Sequence, residues 1–154
     1  MTATLETTFE QRVSEGLKSI LFVEDEADDF VLAQYHLKKL KVTNPVCRVR
    51  TVDELMMFLR GVGIYSNREQ FPLPAVIFLD LRLPGGGGLD AQAMLRTSLK
   101  FRSIPIILIS SPENLAKLRA AVQLGANGYL LKPFKQADFC KLTLDLRLPL
   151  DFEL

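Results

Sequence analysis

Four places in the chain carry side chains able to do chemistry, and each stands at the end of an apolar run. "ILFV" leads into Glu24, Asp25 and Glu26; "AVIFL" ends on Asp80; "PIILI" ends on Ser110; "GYLL" leads into Lys132 and Pro133. Brought to one rim, the carboxylates would repel one another and raise one another's pKa values. A hard divalent cation such as Mg²⁺ relieves that repulsion, because it accepts a few carboxylates, a backbone carbonyl and waters. An ammonium from Lys132 and a hydroxyl from Ser110 add donors beside Asp80. A central carboxylate with a metal site, a cation and a hydroxyl around it suits a tetrahedral dianion attached to that carboxylate. Carboxylates do attack phosphorus, giving an aspartyl phosphate. Catalysing such a transfer is a matter of positioning and of neutralising charge on the phosphoryl group.

That chemistry needs elements that bring the four places together. A short apolar strand followed by an amphipathic helix recurs five times. The strands are Ile20–Val23, Val46–Arg50, Ala75–Asp80, Pro105–Ser110 and Gly128–Leu131. The first, third and fourth are near-continuous apolar runs, the mark of parallel strands covered on both faces. The second is mixed, as an edge strand is.

Between the strands lie helical patterns. Phe30, Ala33, Leu37 and Leu40 share one face of a first helix, with Asp28 and Asp29 in its first turn, where the helix dipole favours negative charge. Further helices are expected over Asp53–Arg60, with Asp53 as the cap, over Leu89–Ser98, and from Gln136 onward. Another follows the fourth strand, with Ser111 as N-cap, Pro112 at its first position and Gly125 as its stop. The alternation predicts an α/β fold, an open parallel sheet with helices on both faces. Ligands of such sheets bind at the carboxyl ends of the strands, where the polar residues collect.

The segments "ILFVEDE", "IFLDLRLPGGGGLD", "IPIILISS" and "GANGYLLKPF" resemble, in order, the four signatures of the receiver domain of two-component response regulators. The resemblance spans about Ser19 to Arg147. It implies a doubly wound, flavodoxin-like sheet in the order 2-1-3-4-5, with 1–18 an N-terminal extension, 19–147 the receiver and 148–154 a tail. It implies Asp80 as phosphoacceptor, Lys132 and Ser110 as partners of the phosphoryl group, and Tyr129 as an aromatic switch. Mg²⁺ would be held by Glu24, Asp25, Asp80 and the backbone carbonyl of Arg82, with a cis Lys132–Pro133 bond nearby.

The implied function is that of a regulator phosphorylated by a sensor histidine kinase or histidine phosphotransfer domain. It would signal to a downstream protein target, with room for a homodimer through the fourth helix, fifth strand and fifth helix. It would not be a turnover enzyme. The long loop before the third strand is similar to that of regulators paired with bacterial phytochromes. A phosphorylation-independent interaction module of the same fold is the alternative. A phosphatase of the haloacid-dehalogenase type is disfavoured, because it needs a second acid two residues after the first, and that position is Arg82. Arg82 is expected to pair with the phosphoryl oxygens and shield them.

The remaining features are less specific. "GGGG" (Gly85–Gly88) lets the chain turn off the strand and lets backbone approach the site, with Gly85–Gly87 expected to leave the loop soft; no Gly-Lys-Ser/Thr follows, so it is no P-loop. Glu26 reads as a first-turn helix residue, and His36, the single histidine, as a mid-helix residue without an acidic partner. Gly61–Pro74 is a long connection, read as an insertion, with a mobile flap or a partner surface as alternatives; "LTLDLRLPLDFEL" reads as a helix ending before Pro149, and its leucines at every second position leave open an extended tail that pairs with another chain. A net charge of +1 over 154 residues gives no case for nucleic acid or membrane, and two cysteines make neither a disulfide framework nor a metal spacing. With no apolar h-region at the start and no spanning segment, a cytoplasmic protein is expected.

Overall fold

The computed structural model describes residues 16–153. In chain order the elements are β1 (Ile20–Val23), α1 (Ala27–Lys39), β2 (Val46–Val49), α2 (Val52–Arg60), β3 (Val76–Asp80), α3 (Gly88–Thr97), β4 (Ile106–Ser110), α4 (Leu115–Gln123), β5 (Gly128–Leu131) and α5 (Gln136–Asp145). All strand pairs are parallel and the order is β2-β1-β3-β4-β5, the doubly wound sheet expected.

Alternate residues of the central strands feed two cores, one on each face. Leu21, Val23, Ile77, Leu79, Ile106 and Leu108 pack under α2, α3 and α4, against Leu55, Phe58, Leu95 and Leu118. Ile20, Phe22, Val76, Phe78, Ile107 and Ile109 pack against Ala33 and Leu37 of α1 and Phe139 of α5. Phe22 and Phe78 face each other in register and stack with centroids 4.6 Å apart. Burial on both faces is why β1, β3 and β4 carry almost no polar residue until their last positions.

Several local expectations are corrected. Thr51 rather than Asp53 caps α2, its hydroxyl accepting from the Glu54 amide at 3.1 Å. Pro112–Asn114 is a 3₁₀ turn that precedes α4. The Ser111 hydroxyl donates to the Glu113 side chain at 3.0 Å and caps no backbone amide. The 61–74 connection is a built structure. Arg68 donates to the carbonyls of Phe58 (2.7 Å) and Leu59 in the last turn of α2, and to that of Phe71 (3.0 Å) in the connection itself. Tyr65 fills the space beneath and donates to Glu54 Oε2 at 2.7 Å.

The C-terminal segment is extended beyond α5 and pairs with its own chain. Thr43 N donates to Asp151 O (2.8 Å), Glu153 N donates to Lys41 O (2.7 Å), and Phe152 bridges antiparallel to Val42. Leu148 and Leu150 close the α1–α5 core beside Leu142, while Leu144 and Leu146 face outward. The N-terminal extension, save residues 16–18, lies outside the described residues.

Candidate functional site

Strand register lines up the polar ends. Val23 pairs with Leu79, Asp80 with Ile109, and Ser110 with Leu131, so Glu24 and Lys132 each stand one residue beyond a paired position. The Lys132 amide donates to Ser110 O at 2.8 Å and the Glu24 amide to Val49 O at 2.9 Å. The Lys132–Pro133 bond is cis, as the resemblance implied.

The Lys132 ammonium lies at the centre of the site. Its Nζ is 2.6 Å from Asp80 Oδ2, 2.7 Å from Glu24 Oε1 and 2.7 Å from Asp29 Oδ2. Asp80 is 1% exposed, and its other oxygen accepts the Arg82 backbone amide at 2.7 Å. Glu24 is fully buried, and its Oε2 accepts the Glu26 amide at 3.3 Å. Its Oε1 touches the ammonium as an ion pair without hydrogen-bond alignment and has no hydrogen-bond partner.

Burial pushes the Glu24 carboxyl up from 4.5 to about 7, Lys132 opposes the rise, and the neighbouring Asp80 adds to it. Burial alone would lower the Lys132 pKa, but its close contacts with the Asp29, Asp80 and Glu24 carboxylates win and hold it well above the usual lysine range. The exposed Glu26 carboxyl is raised by its hydrogen bond to Asp29.

The remaining expected residues take different places. Ser110 is buried at the end of β4, where its Oγ accepts from Asn114 Nδ2 at 2.8 Å. Asp25 is partly buried, and its backbone carbonyl accepts from Arg48 Nη1 at 3.4 Å. Tyr129 is half-buried against the core under α2–α4. The Arg82 side chain is exposed and ion-paired with Glu113. Direct contact therefore joins Glu24, Asp80 and Lys132, and adds Asp29. The first-turn position of Asp29 explained its charge through the helix dipole and hid its reach to Lys132. His36 is buried, with Nδ1 2.6 Å from Gln136 Oε1 and Nε2 3.0 Å from Phe134 O, which ties α1 to the segment after Lys132.

All four glycines have a backbone reason. Gly85, Gly86 and Gly87 have φ of 79°, 67° and 84°, a left-handed run that side chains oppose. At Gly88 a Cβ would come 3.4 Å from the Asp80 carbonyl and 3.3 Å from Leu81 Cδ2, so α3 begins tight against the end of β3.

Among the described residues, no three His, Cys, Asp or Glu side chains are already grouped to hold a metal, and the ammonium stands between Glu24 and Asp80. The donor set nevertheless fits a divalent cation. Three carboxylates face one ammonium, and one buried carboxylate oxygen lacks a hydrogen bond.

The sheet order, the buried acids and the lysine just past β5 define a receiver domain. A family model for the response regulator receiver domain matches residues 20–144, and the chain belongs to that family. It is 31% identical over 126 residues to response regulator Rcp1 of Synechocystis sp. (strain ATCC 27184 / PCC 6803 / Kazusa), covering 82% of this chain and 84% of that one. Among solved structures it resembles the bacteriophytochrome response regulator RtBRR (TM-score 0.77, 33% identity, 90% of this chain, 81% of that one). It also resembles the Mn²⁺-bound form of Rcp1 (0.71, 28%, 89% and 99%). A third is the phosphorylated cyanobacterial phytochrome response regulator RcpA (0.67, 29%, 85% and 89%).

Proposed function

We propose that this chain takes a phosphoryl group onto Asp80 from a phosphohistidine of a sensor histidine kinase or phosphotransfer domain, and signals by changing its protein contacts. The observation that carries the reading is the Lys132 ammonium, held at 2.6 Å from a buried Asp80 carboxylate. Asp80 uses one hydrogen bond on each oxygen, which leaves lone pairs for attack. As the new P–O bond forms, the P–N bond breaks and its electron pair returns to the donor imidazole. Lys132 turns one N–H from Asp80 to a phosphoryl oxygen, a charge-assisted bond that keeps the ammonium compensated. Ser110 accepts from Asn114 and so keeps its own O–H free to donate to the phosphoryl group.

A divalent cation, taken here as Mg²⁺, would be held by Glu24, Asp25, Asp80 and the Arg82 carbonyl, and would supply charge neutralisation on the transferring group. The metal-bound Rcp1 and phosphorylated RcpA structures support both parts by similarity. Movement of Ser110 leaves space for Tyr129 to pass from half-buried to buried, shifting a two-state equilibrium of α4, β5 and α5. That face meets the downstream target or a second copy. The adduct forms and hydrolyses at this one site, so the protein is a switch rather than a turnover enzyme. Similarity to RtBRR and RcpA favours a phytochrome-type kinase as donor.

Incubation with acetyl phosphate and Mg²⁺, followed by intact mass, tests the reading. One stable phosphoryl adduct supports it. An unchanged mass supports the phosphorylation-independent module, and phosphate release without adduct supports a hydrolase.

A further inference from the structure

The turn that follows β4 is fastened at two points. Asn114, the residue before α4, donates to the Ser110 hydroxyl oxygen at 2.8 Å. Glu113 holds the Arg82 guanidinium and also accepts from Ser111 Oγ at 3.0 Å. Arg82 itself follows Asp80 by two residues, and its backbone amide donates to Asp80 Oδ1 at 2.7 Å. The guanidinium is thus tethered away from the acceptor by an acid on the neighbouring loop. Both partners are more than half exposed, so the pair is weak and can be exchanged. The Glu113 carboxyl is held below the usual range by its own backbone amide, by Ser111 and by Arg82, so it stays charged. A cleft of about 460 Å³ beside Arg82, lined by Gly87, Gly88, Asn114 and Lys117, gives the side chain room to move.

We propose that Glu113 is a positioning residue, which holds the Arg82 guanidinium off Asp80 until a phosphoryl dianion competes for it. The inference rests on Asp80 being the phosphoacceptor and adds how the phosphoryl state is held. A dianion on Asp80 offers Arg82 a doubly charged, bidentate partner in place of a single carboxylate. When Arg82 leaves, the turn loses its tie to the β3–α3 loop. Ser110 can then move towards the phosphoryl group and carry Asn114, and with it the start of α4. The latch therefore sets both the lifetime of the adduct and the ease of the switch.

The test measures adduct half-life after acetyl phosphate is removed, in wild type, Glu113→Gln, Arg82→Ala and the double variant. Glu113→Gln is expected to lengthen the half-life by roughly two- to fivefold, the range an exposed ion pair commands. Arg82→Ala is expected to shorten it, and Glu113→Gln is expected to add nothing in the Arg82→Ala background. An unchanged half-life in Glu113→Gln overturns the proposal. The same lengthening in both backgrounds also overturns it, because the acid would then act through its charge alone. Failure of wild type to form any adduct overturns the reading of Asp80 as well, and is visible before any variant is compared.

Discussion

Glu24 gives the sharpest quantitative handle on the site. Its carboxyl is buried, shares one ammonium with two other acids, and has a folded pKa of about 7 against 4.5 unfolded. A carboxyl whose folded value is raised favours the folded state in its protonated form. That contribution is complete below pH 4.5 and is lost as pH rises through about 7. The difference corresponds to about 3 kcal/mol at ~1.4 kcal/mol per tenfold. Relaxation of the charged groups packed around the carboxyl reduces this to about 1–2 kcal/mol. Metal-free protein is therefore expected to lose that much stability between pH 5 and pH 8, and Glu24→Gln is expected not to share the loss. Urea unfolding in EDTA at several pH values, for both proteins, gives the difference directly, and the variant removes the contribution of every other titrating group. Adding Mg²⁺ at pH 8 is expected to restore the wild type and to do less for the variant. A wild-type-minus-variant difference that stays flat from pH 5 to pH 8 would refute the crowded-carboxylate account.

Two further outcomes follow from the same contacts. Lys132→Ala leaves Glu24 and Asp80 buried without their cation; it is expected to destabilise the folded protein by about 2–4 kcal/mol at neutral pH in chemical denaturation and to abolish the phosphoryl response. Arg68→Ala opens the carbonyls at the end of α2 and is expected to cost about 1–3 kcal/mol in the same assay, while adduct formation at the far rim proceeds as in wild type.

Much of this was legible in the sequence because burial on both faces writes itself as continuous apolar runs. Ile20–Val23 and Gly128–Leu131 are the strands expected to the residue, and β3 and β4 differ by one residue at their first position. The polar ends of those runs marked the site for the same reason: a charge is tolerated there only where the strand emerges. What stayed hidden depended on side chains reaching between elements. Asp29 is 103 positions from Lys132, and nothing local distinguishes it from Asp28. Arg82 was expected to face the phosphoryl group, yet in this state Glu113 holds it, 31 positions away. The glycines were read as letting the chain turn off the strand and approach closely, and the left-handed φ values of Gly85, Gly86 and Gly87 and the tight fit at Gly88 show that demand. The C-terminal segment was read as a helix ending before Pro149, and α5 does end at Asp145; the extended residues beyond it find their partners more than a hundred positions back, at Lys41, Val42 and Thr43.

The central claim is that Asp80 carries the phosphoryl group. An acyl phosphate is reduced by borohydride to an alcohol, which leaves a permanent mark on the residue that carried it. After treatment with acetyl phosphate and Mg²⁺, reduction and peptide mapping are expected to find that mark at position 80 alone, and to find none in Asp80→Asn. A mark on another carboxylate, or an equal yield of adduct from Asp80→Asn, would contradict the account.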